Sequence, residues 1–419
     1  MSETKTDIGP TLDVARIKQD FPILTRTVNG KRLVYLDSAS SSQKPLSVIE
    51  AMDHHQREFY ANVHRGVYTI SEESTAAYEG ARTKMARFLN ARATREIVFT
   101  KNITEAINLV AHSWARSNLV AGDAVVVTQM EHHANIVPWH ILAAERGIDV
   151  RWIPLTDDFR LDLTELPRLL DGAKLLAVTA MSNVLGTIND IAALSAAAHD
   201  AGALVLVDAA QAVPHMPVDV RAWDADFVGF TAHKMLGPTG IGGLWARDEL
   251  LEAMPPFLGG GEMITDVRMD GFTPNEVPWK FEAGTMPFVE ASGLAAAVDY
   301  LEGLGMDAVR EHEKALTAYM LRALTDRFGD KITINGHHDV EGRGGAVSFV
   351  FEGIHAHDIS QVLDEDAVCV RASHHCAKPL MRVLGAPATT RASSYVYNDE
   401  ADVDALVESL ATAEKFFAI

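Results

Sequence analysis

Cysteine is nearly absent from this 419-residue sequence, which contains only Cys369 and Cys376. With two cysteines a disulfide framework is not expected, and no CxxC pair is available to bind zinc. Basic residues are also scarce, because 37 Lys and Arg stand against 57 Asp and Glu, which gives a formal net charge of −20. A surface of that sign repels nucleic acids and anionic membranes, so neither is expected as a partner.

Long apolar runs are missing as well. The most apolar stretches, such as residues 174–181, are too short to span a bilayer. Residues 1–7 lack the apolar core of a signal peptide, so we expect a cytoplasmic protein without membrane contact. There is no internal repeat, and 419 residues of which 47% are apolar are enough for two or three domains.

Short apolar runs alternate with helical patterns in the central part of the chain. Strands are predicted at 96–100, 124–128, 175–179, 204–207 and 227–230, and helices at 104–113 and 191–199. Continuous apolar runs separated by helices are typical of a mostly parallel sheet that is covered on both faces. The sequence therefore predicts an α/β fold for this part.

The last third of the chain has a different pattern. Helices at 306–328 and 400–417, with short strands at 345–351 and 367–371, predict a smaller α+β domain. We therefore expect three parts in the chain. They are an N-terminal arm at 1–31 that packs on the small domain, a large domain at 32–301, and a small C-terminal domain at 302–419.

Polar residues follow the predicted strands at the edge where open α/β sheets bind ligands. Asp208 follows the strand at 204–207, and a carboxylate there can pair with the nitrogen of a pyridine ring, although capping of the next helix is the alternative. Lys234 follows the strand at 227–230, where desolvation would make its amine a nucleophile for a Schiff base; an exposed surface lysine is the alternative. No GxGxxG motif opens a helix directly after a strand, which disfavours an NAD-binding Rossmann domain.

Other strand ends carry groups that suit a phosphorylated aromatic ligand. Thr104 begins a helix and can bind phosphate with the local N–H groups, or it can be an ordinary N-cap. Thr231 and His233 can also bind phosphate. A histidine of the pair His132 and His133 can stack on a ring, whereas their adjacency does not suit two zinc ligands on one helix face. Further along the sheet edge, Gln211 and Asn183 are placed to bind a ring hydroxyl.

The two cysteines have different surroundings. Cys376 follows His374 and His375 and lies close in sequence to Arg371 and Lys378, and basic neighbours favour a reactive thiolate. Cys369 lies between two valines in a predicted strand, which indicates a buried and inert thiol. We therefore predict that Cys376 is the reactive cysteine, with a buried structural role as the alternative.

Together these motifs resemble pyridoxal-phosphate (PLP) enzymes of fold-type I in the class V aminotransferase family, and more closely the Suf-type (group II) cysteine desulfurases. The resemblance covers nearly the whole chain. The segments that carry it are Tyr35-Leu-Asp-Ser-Ala39, Asn62-Val-His-Arg-Gly66, Met130-Glu-His-His-Ala-Asn-Ile-Val-Pro-Trp139, Ser182-Asn-Val-Leu-Gly186, Val207-Asp-Ala-Ala-Gln-Ala212, His233-Lys-Met-Leu-Gly-Pro-Thr-Gly-Ile-Gly242, Phe281-Glu-Ala-Gly-Thr285, His374-His-Cys-Ala377 and Arg391-Ala-Ser393.

The resemblance implies a large domain with a mostly parallel seven-stranded sheet, a smaller α+β domain and a homodimer with shared active sites. It implies PLP as the cofactor, L-cysteine as the substrate, and a persulfide on Cys376 that is passed to an acceptor protein for iron–sulfur cluster assembly. For the cofactor ring it implies Lys234 as the Schiff-base residue, Asp208 on the ring nitrogen, Gln211 and Asn183 beside the ring, and His132 stacked on the ring and donating a proton in catalysis. Around the phosphate it implies Ile103, Thr104, Thr231, His233 and the partner's Thr285. On the substrate carboxylate it implies Arg391 and Arg371.

The sequence departs from the family pattern at two positions. The phosphate segment has Asn102-Ile103-Thr104 where the family usually has Gly-Thr-Thr or Asn-Ala-Thr, so one hydroxyl is missing. Ser373 replaces a glycine before His-His-Cys, which would strain the loop if that position needs a positive φ.

Some members of the family use a zinc-carrying acceptor, and the resemblance indicates His357 as its contact; a solvated loop histidine is the alternative. Selenocysteine lyase and other class V PLP enzymes are the nearest alternative functions, followed by a non-catalytic scaffold with a degenerate PLP fold.

Overall fold

A computed structural model describes residues 12–417 of the chain. Its strands are β1 (Thr27–Val28), β2 (Lys31–Arg32), β3 (Val34–Tyr35), β4 (Ile97–Thr100), β5 (Ala124–Thr128), β6 (Asp149–Ile153), β7 (Ala173–Thr179), β8 (Leu204–Asp208), β9 (Phe227–Thr231), β10 (Gly242–Ala246), β11 (Ile264–Arg268), β12 (Gly271–Pro274), β13 (Ile332–Asn335), β14 (Ala346–Phe351), β15 (Val368–Cys369), β16 (Arg371–Ser373) and β17 (Thr389–Ser393).

Its α-helices are α1 (Val14–Gln19), α2 (Leu46–Glu58), α3 (Thr69–Phe88), α4 (Ile103–Leu109), α5 (Arg116–Asn118), α6 (Val137–Arg146), α7 (Leu166–Leu170), α8 (Ile191–Asp200), α9 (Ala212–His215), α10 (Asp248–Ala253), α11 (Phe288–Leu304), α12 (Met306–Phe328), α13 (Ala356–Glu365), α14 (Lys378–Val383) and α15 (Glu400–Phe416). Among the described residues, none of these helices combines the length and the apolar character needed to cross a bilayer.

The central strands form a seven-stranded sheet in the order β4-β10-β9-β8-β7-β5-β6. The strands from β5 to β9 pair in parallel, and β10 pairs antiparallel with both β9 and β4. The prediction of an α/β fold with a mostly parallel sheet is therefore confirmed. The register places Asp208 beside Thr179 on one side and Gly229 on the other, so the carboxyl ends of three strands meet at one edge.

Helices cover both faces of this sheet. Along β5, Val126 belongs to a core that contains Met85 of α3 and Leu294 of α11. Its neighbours Val125 and Val127 belong to a second core, on the other face, with residues of α4 and α6. Because successive side chains of a strand point to opposite faces, a strand buried on both faces must be apolar throughout. This explains the continuous apolar runs in the sequence.

The C-terminal part forms a four-stranded antiparallel sheet in the order β13-β14-β17-β16, packed with α12, α13 and α15. The single strand predicted at 367–371 is wrong: β15 and β16 belong to different sheets, and β15 pairs in parallel with β3. The helix predicted at 104–113 is α4, which begins at Ile103 and continues from Val110 to Ala115 as a π-helix.

The described part of the N-terminal arm contacts the C-terminal part of the chain. Lys18 pairs with Asp399 at 2.6 Å and with Asp402 at 3.1 Å, and Lys31 pairs with Asp366. Helix α11 runs without interruption through residue 301. Residues 1–11 of the predicted arm lie outside the described residues, and the domain boundaries at 31/32 and 301/302 stay predictions.

Candidate active site

A cavity at the carboxyl ends of the central strands brings together residues from both parts of the chain. Its volume is ≈ 180 Å³, several times the space of about 30 Å³ that one molecule of liquid water occupies. The cavity therefore has room for a small polar molecule. Its lining residues are Ala39, Ser40, Asn102, Ile103, Thr104, His132, Asn183, Thr231, His233, Lys234, Arg371, His375, Cys376 and Arg391.

Lys234 reaches this cavity from a single 3₁₀ turn, Ala232–Lys234, that follows β9 directly. Burial is the main cause that lowers the pKa of its amine to about 8, and the guanidinium groups of Arg391 and Arg371 lower it further. The carboxylate of Asp208 and the thiol of Cys376 act in the opposite direction. A substantial fraction of the amine is therefore neutral near physiological pH, which a nucleophile or a proton acceptor needs.

Asp208 and Gln211 do not line the cavity and lie at the end of β8. The buried carboxyl of Asp208 accepts a hydrogen bond from the N–H of Ala210 at 3.0 Å, and burial raises its pKa. Capping of the next helix, the alternative role for Asp208, is not seen, because Gln211 occupies the N-cap of α9. Gln211 donates its amide N–H to the carbonyl of Ala39 at 2.8 Å.

His132 lines the cavity as a neutral ring. Burial first, and then the positive charge of Lys234, lower its pKa to about 3. Its Nδ1 accepts a hydrogen bond from the N–H of Ala134 at 3.1 Å, so the neutral ring carries its proton on Nε2. A neutral imidazole with one nitrogen engaged suits stacking against a ring better than donation as an imidazolium.

Four residues predicted to bind phosphate line the cavity, namely Ile103, Thr104, Thr231 and His233. The N-cap of α4 is Asn102, whose side chain accepts from the N–H of Glu105 at 3.0 Å, so the alternative reading of Thr104 as the N-cap is wrong. Thr104 is exposed and therefore free to face a ligand. The buried Oγ1 of Thr231 has no hydrogen-bond partner among the described residues. Burial is the main cause that lowers the pKa of His233 to about 4, so this ring is neutral as well.

Two guanidinium groups lie side by side in the cavity. Arg371 of β16 is the register partner of Arg391 of β17, so their side chains leave the sheet on the same face. Like charges placed directly opposite destabilise an antiparallel pair unless an anion lies between them. Arg391 is fully buried and donates to the carbonyl of Asn183 at 2.8 Å and to the carboxylate of Asp37 at 3.0 Å.

Ser40 lies between these two arginines. Its Oγ accepts hydrogen bonds from Arg371 and Arg391, both at 2.8 Å, and is 2.7 Å from Oδ1 of Asp37, to which it donates. Neither Asp37 nor Ser40 was assigned a role from the sequence, although both lie in or beside the segment Tyr35–Ala39. The Nε of Arg391 has no partner among the described residues, so the guanidinium keeps a donor for a ligand.

Cys376 lies in a loop after β16 and is half-buried in the cavity wall. His375 and Cys376 both have positive φ, 49° and 54°, whereas Ser373 lies in β16 with no positive φ. The backbone strain expected at Ser373 is therefore found at His375 and Cys376 instead. The carbonyl of His375 accepts from the amide of Asn183 at 2.8 Å, which ties the loop to the end of β7.

Cys369 is also half-buried, and it does not line this cavity. Burial first, and then the negative charges of Asp364 and Asp37, raise the pKa of its thiol. A raised pKa leaves little thiolate near neutral pH. Cys369 is therefore a poor nucleophile near neutral pH, although it is less deeply buried than the sequence indicates.

Thr285 and His357 lie away from the cavity. Thr285 is exposed and lines a different cavity, with Lys101 and Glu290. His357 is exposed in the first turn of α13, and its ring stacks on that of His355, the N-cap, at 5.3 Å. In residues 12–417, no group of three or more His, Cys, Asp or Glu side chains is arranged to hold a metal ion.

Residues 34–406 match the family model described as aminotransferase class-V. The chain belongs to this family. Within it, the chain is 50% identical to the probable cysteine desulfurase of Streptomyces coelicolor over 98% of this chain and 100% of that protein. It is 49% identical to the cysteine desulfurase of Cronobacter sakazakii over 96% of this chain and 98% of that protein.

Solved structures of the family have the same architecture. The cysteine desulfurase CsdA of Escherichia coli, in an S-sulfonic acid form, superimposes with a TM-score of 0.89 at 39% identity, over 97% of this chain and 100% of that one. The apo cysteine desulfurase of Thermococcus onnurineus superimposes with a TM-score of 0.91 at 37% identity, over 96% of this chain and 98% of that one.

Proposed function

We propose that this class V aminotransferase family member is a cysteine desulfurase. It takes the sulfur atom of L-cysteine onto Cys376 as a persulfide and releases L-alanine. The observation that carries the proposal is that the amine of Lys234, the thiol of Cys376 and the guanidinium of Arg391 line one small cavity. A binding site for an amino acid needs the arginine, but it has no need of a lysine with a lowered pKa or of a thiol. Relatives named cysteine desulfurase that match the chain over nearly its full length support the same reaction.

The residues around the cavity fit PLP as the cofactor. The unpartnered Oγ1 of Thr231 is a buried donor for a phosphate oxygen, and the buried carboxyl of Asp208 suits a ring nitrogen that carries a proton. Lys234 would bind the cofactor covalently, His132 would stack on its ring, and Asn183 and Gln211 would lie beside it. Around the phosphate we place Ile103, Thr104, Thr231, His233 and, in a homodimer with shared sites, Thr285 of the partner subunit.

When bound, PLP supplies an electron sink that makes the Cα–H and C–S bonds of an amino acid easier to break. Arg391 and Arg371 would hold the substrate carboxylate, with Nε of Arg391 as the free donor. Lys234, as a neutral amine, would take the proton from Cα. The thiolate of Cys376 would attack the substrate sulfur, so that one S–S bond forms as the C–S bond breaks. The proton that completes alanine at Cβ would come from a donor in the cavity, for which our candidate is the Nε2–H of the neutral His132 ring.

The first test is the yield of alanine from L-cysteine by the PLP-loaded protein with a reductant present. We expect Cys376→Ala to lower this yield at least about hundredfold, because the sulfur acceptor is lost. Cys369→Ala, the matched control, should behave as the wild type. In both variants borohydride should still fix the cofactor on Lys234. If the wild type forms alanine from L-selenocysteine but not from L-cysteine, selenocysteine lyase is the correct function. If Cys376→Ala forms alanine from L-cysteine at the wild-type rate, the proposed role of Cys376 is refuted.

We further propose that the persulfide passes to an acceptor protein of iron–sulfur cluster assembly in the cytoplasm. If that acceptor carries zinc, we propose that the exposed ring of His357 replaces one zinc ligand, because an exposed imidazole nitrogen can bind zinc. We expect the zinc-loaded acceptor to stimulate His357→Ala much less than the wild type. Equal stimulation of the two proteins would refute this contact.

A further inference from the structure

His133, the neighbour of the cavity residue His132, does not line the cavity, yet it contacts the loop of Cys376 at two points. Its backbone N–H donates to the carbonyl of Cys376 at 2.7 Å. Its ring Nε2 accepts from the backbone N–H of Lys378 at 2.9 Å. The same residue therefore binds the loop at Cys376 and again two residues later.

The loop needs such contacts because its own backbone is strained. His375 and Cys376 both adopt left-handed φ values, which side chains other than glycine rarely accept unless surrounding contacts offset the strain. On the N-terminal side, Asn183 binds the carbonyl of His375 and Thr389 binds its ring at 2.9 Å. On the C-terminal side, the two bonds to His133 hold the loop. Without them, the strained pair would be held from one side.

His133 is itself held rigidly. It opens the 3₁₀ turn His133–Asn135, and the buried Glu131 accepts from the amide of Asn135 at 2.8 Å and from the N–H of Thr179 at 2.8 Å. The turn is thereby fastened to the ends of β5 and β7. The Cys376 loop, in contrast, follows β16 of the C-terminal sheet. His133 is therefore a contact between the two sheets at the reactive thiol.

We propose that His133 is a positioning residue for Cys376: its ring nitrogen and its backbone N–H hold the loop in the closed arrangement, in which the thiol faces the cavity. Nε2 accepts a hydrogen bond from the backbone N–H of Lys378, so the neutral ring carries its proton on Nδ1. The proposal rests on the proposed function for its catalytic consequence, but the closed loop itself does not.

The test compares His133→Leu, which removes the acceptor, with His133→Gln, whose amide oxygen can reach the position of Nε2. The readout on the PLP-loaded protein without substrate is the alkylation rate of Cys376 by iodoacetamide, followed by mass spectrometry. We expect about a five- to tenfold faster alkylation in His133→Leu, since one hydrogen bond no longer closes the loop. His133→Gln should stay within about twofold of the wild type. His140→Leu, on the exposed side of α6, is the control and should not differ.

The second readout is steady-state turnover of L-cysteine. We expect kcat of His133→Leu to fall about five- to tenfold while KM changes less than about twofold, because Arg391 and Arg371 are unaffected. His133→Gln should restore kcat, which a residue needed for folding alone would not predict. If His133→Leu does not fold, His133→Asn replaces it, since its shorter amide falls short of Nε2.

The proposal is overturned if the wild type, His133→Leu and His133→Gln have the same alkylation rate and the same kcat. It is also overturned if kcat falls equally in the Leu and Gln variants. The two proposals can fail separately. If the wild type makes no alanine, the desulfurase proposal fails, whereas the alkylation rates still decide whether His133 closes the loop.

Discussion

Replacing Ser40 with alanine would show how the two guanidinium groups of the cavity are held. Ser40 Oγ accepts from Arg371 and Arg391 at 2.8 Å each and donates to Asp37 at 2.7 Å. In Ser40→Ala both arginines lose this shared acceptor and keep their mutual repulsion. We expect them to move apart, so that they no longer present a preformed site for a carboxylate.

The size of the effect follows from these bonds. A hydrogen bond to a charged group contributes about 1.5–3 kcal/mol, and water replaces part of it at a half-buried site such as Ser40. We therefore expect a net loss of about 1.4 kcal/mol in substrate binding, which is a tenfold rise in KM for L-cysteine. Because the carboxylate is bound alike in the ground state and the transition state, kcat should change less than about twofold.

The assay is steady-state alanine formation, together with titration of the product L-alanine through the absorbance of the bound cofactor. Ser40→Thr, which keeps a hydroxyl, should stay near the wild type, and Ser360→Ala on the distant helix α13 is the control. An unchanged KM would refute the reasoning. If kcat is also unchanged, the arginines stay in place without Ser40; if kcat falls instead, Ser40 takes part in the chemical step.

Three further predictions concern buried charges. The pKa of Lys234 is lowered from 10.5 to about 8, so the rate of PLP uptake by the apoprotein should rise between about pH 7 and pH 9 as the amine loses its proton. Uptake is followed by absorbance, and a midpoint near pH 10.5 would contradict the prediction. Asp208→Asn should lower kcat about hundredfold while borohydride still fixes the cofactor on Lys234, because an amide cannot hold a proton on the ring nitrogen; near-wild-type turnover would contradict that role. Glu313 is buried and pairs with His215 and Arg310, both at 2.9 Å. Glu313→Ala should therefore destabilise the fold by about 3 kcal/mol in thermal unfolding, whereas the control Glu311→Ala should not. Equal unfolding temperatures of the wild type and Glu313→Ala would contradict this prediction. Burial by itself would raise the pKa of Glu313, but the charges of His215 and Arg310 together with hydrogen bonds from His215 and from the N–H of Gly345 lower it. This stability is therefore present above the unfolded pKa and is lost as the pH falls through the folded one.

Local sequence predicted five of the seven strands of the central sheet and missed β6 and β10. The strand predicted at 124–128 is β5 to the residue, and the helix predicted at 306–328 is α12 to the residue. Both are long or strongly apolar elements, whose periodicity is set by burial of their own side chains. The prediction failed at 367–371, where the chain leaves one sheet and enters another. The hydrophobicity of so short a segment does not depend on which strand it pairs with, so the change of partner cannot be predicted from it.

The strand-end residues show the same division. Asp208 and Lys234 could be singled out because Asp208 directly follows one predicted strand and Lys234 comes four residues after another, and such positions meet at one sheet edge. Asp37 and Ser40 could not be singled out, although Asp37 lies in, and Ser40 directly after, a segment that carries the family resemblance. Asp37 meets Arg391 across 354 residues of chain, and no local pattern records that contact.

The sequence by itself determined the apolar runs and the polar strand ends, and it predicted Cys376 as the reactive cysteine, since each depends on residues adjacent in the chain. The tertiary structure alone decided that Arg371 lies opposite Arg391, that Ser40 joins them, and that His133 binds the Cys376 loop. These contacts depend on strand register and on the packing of distant segments. Register is set by the whole sheet, and a shift of one residue would turn either arginine to the other face.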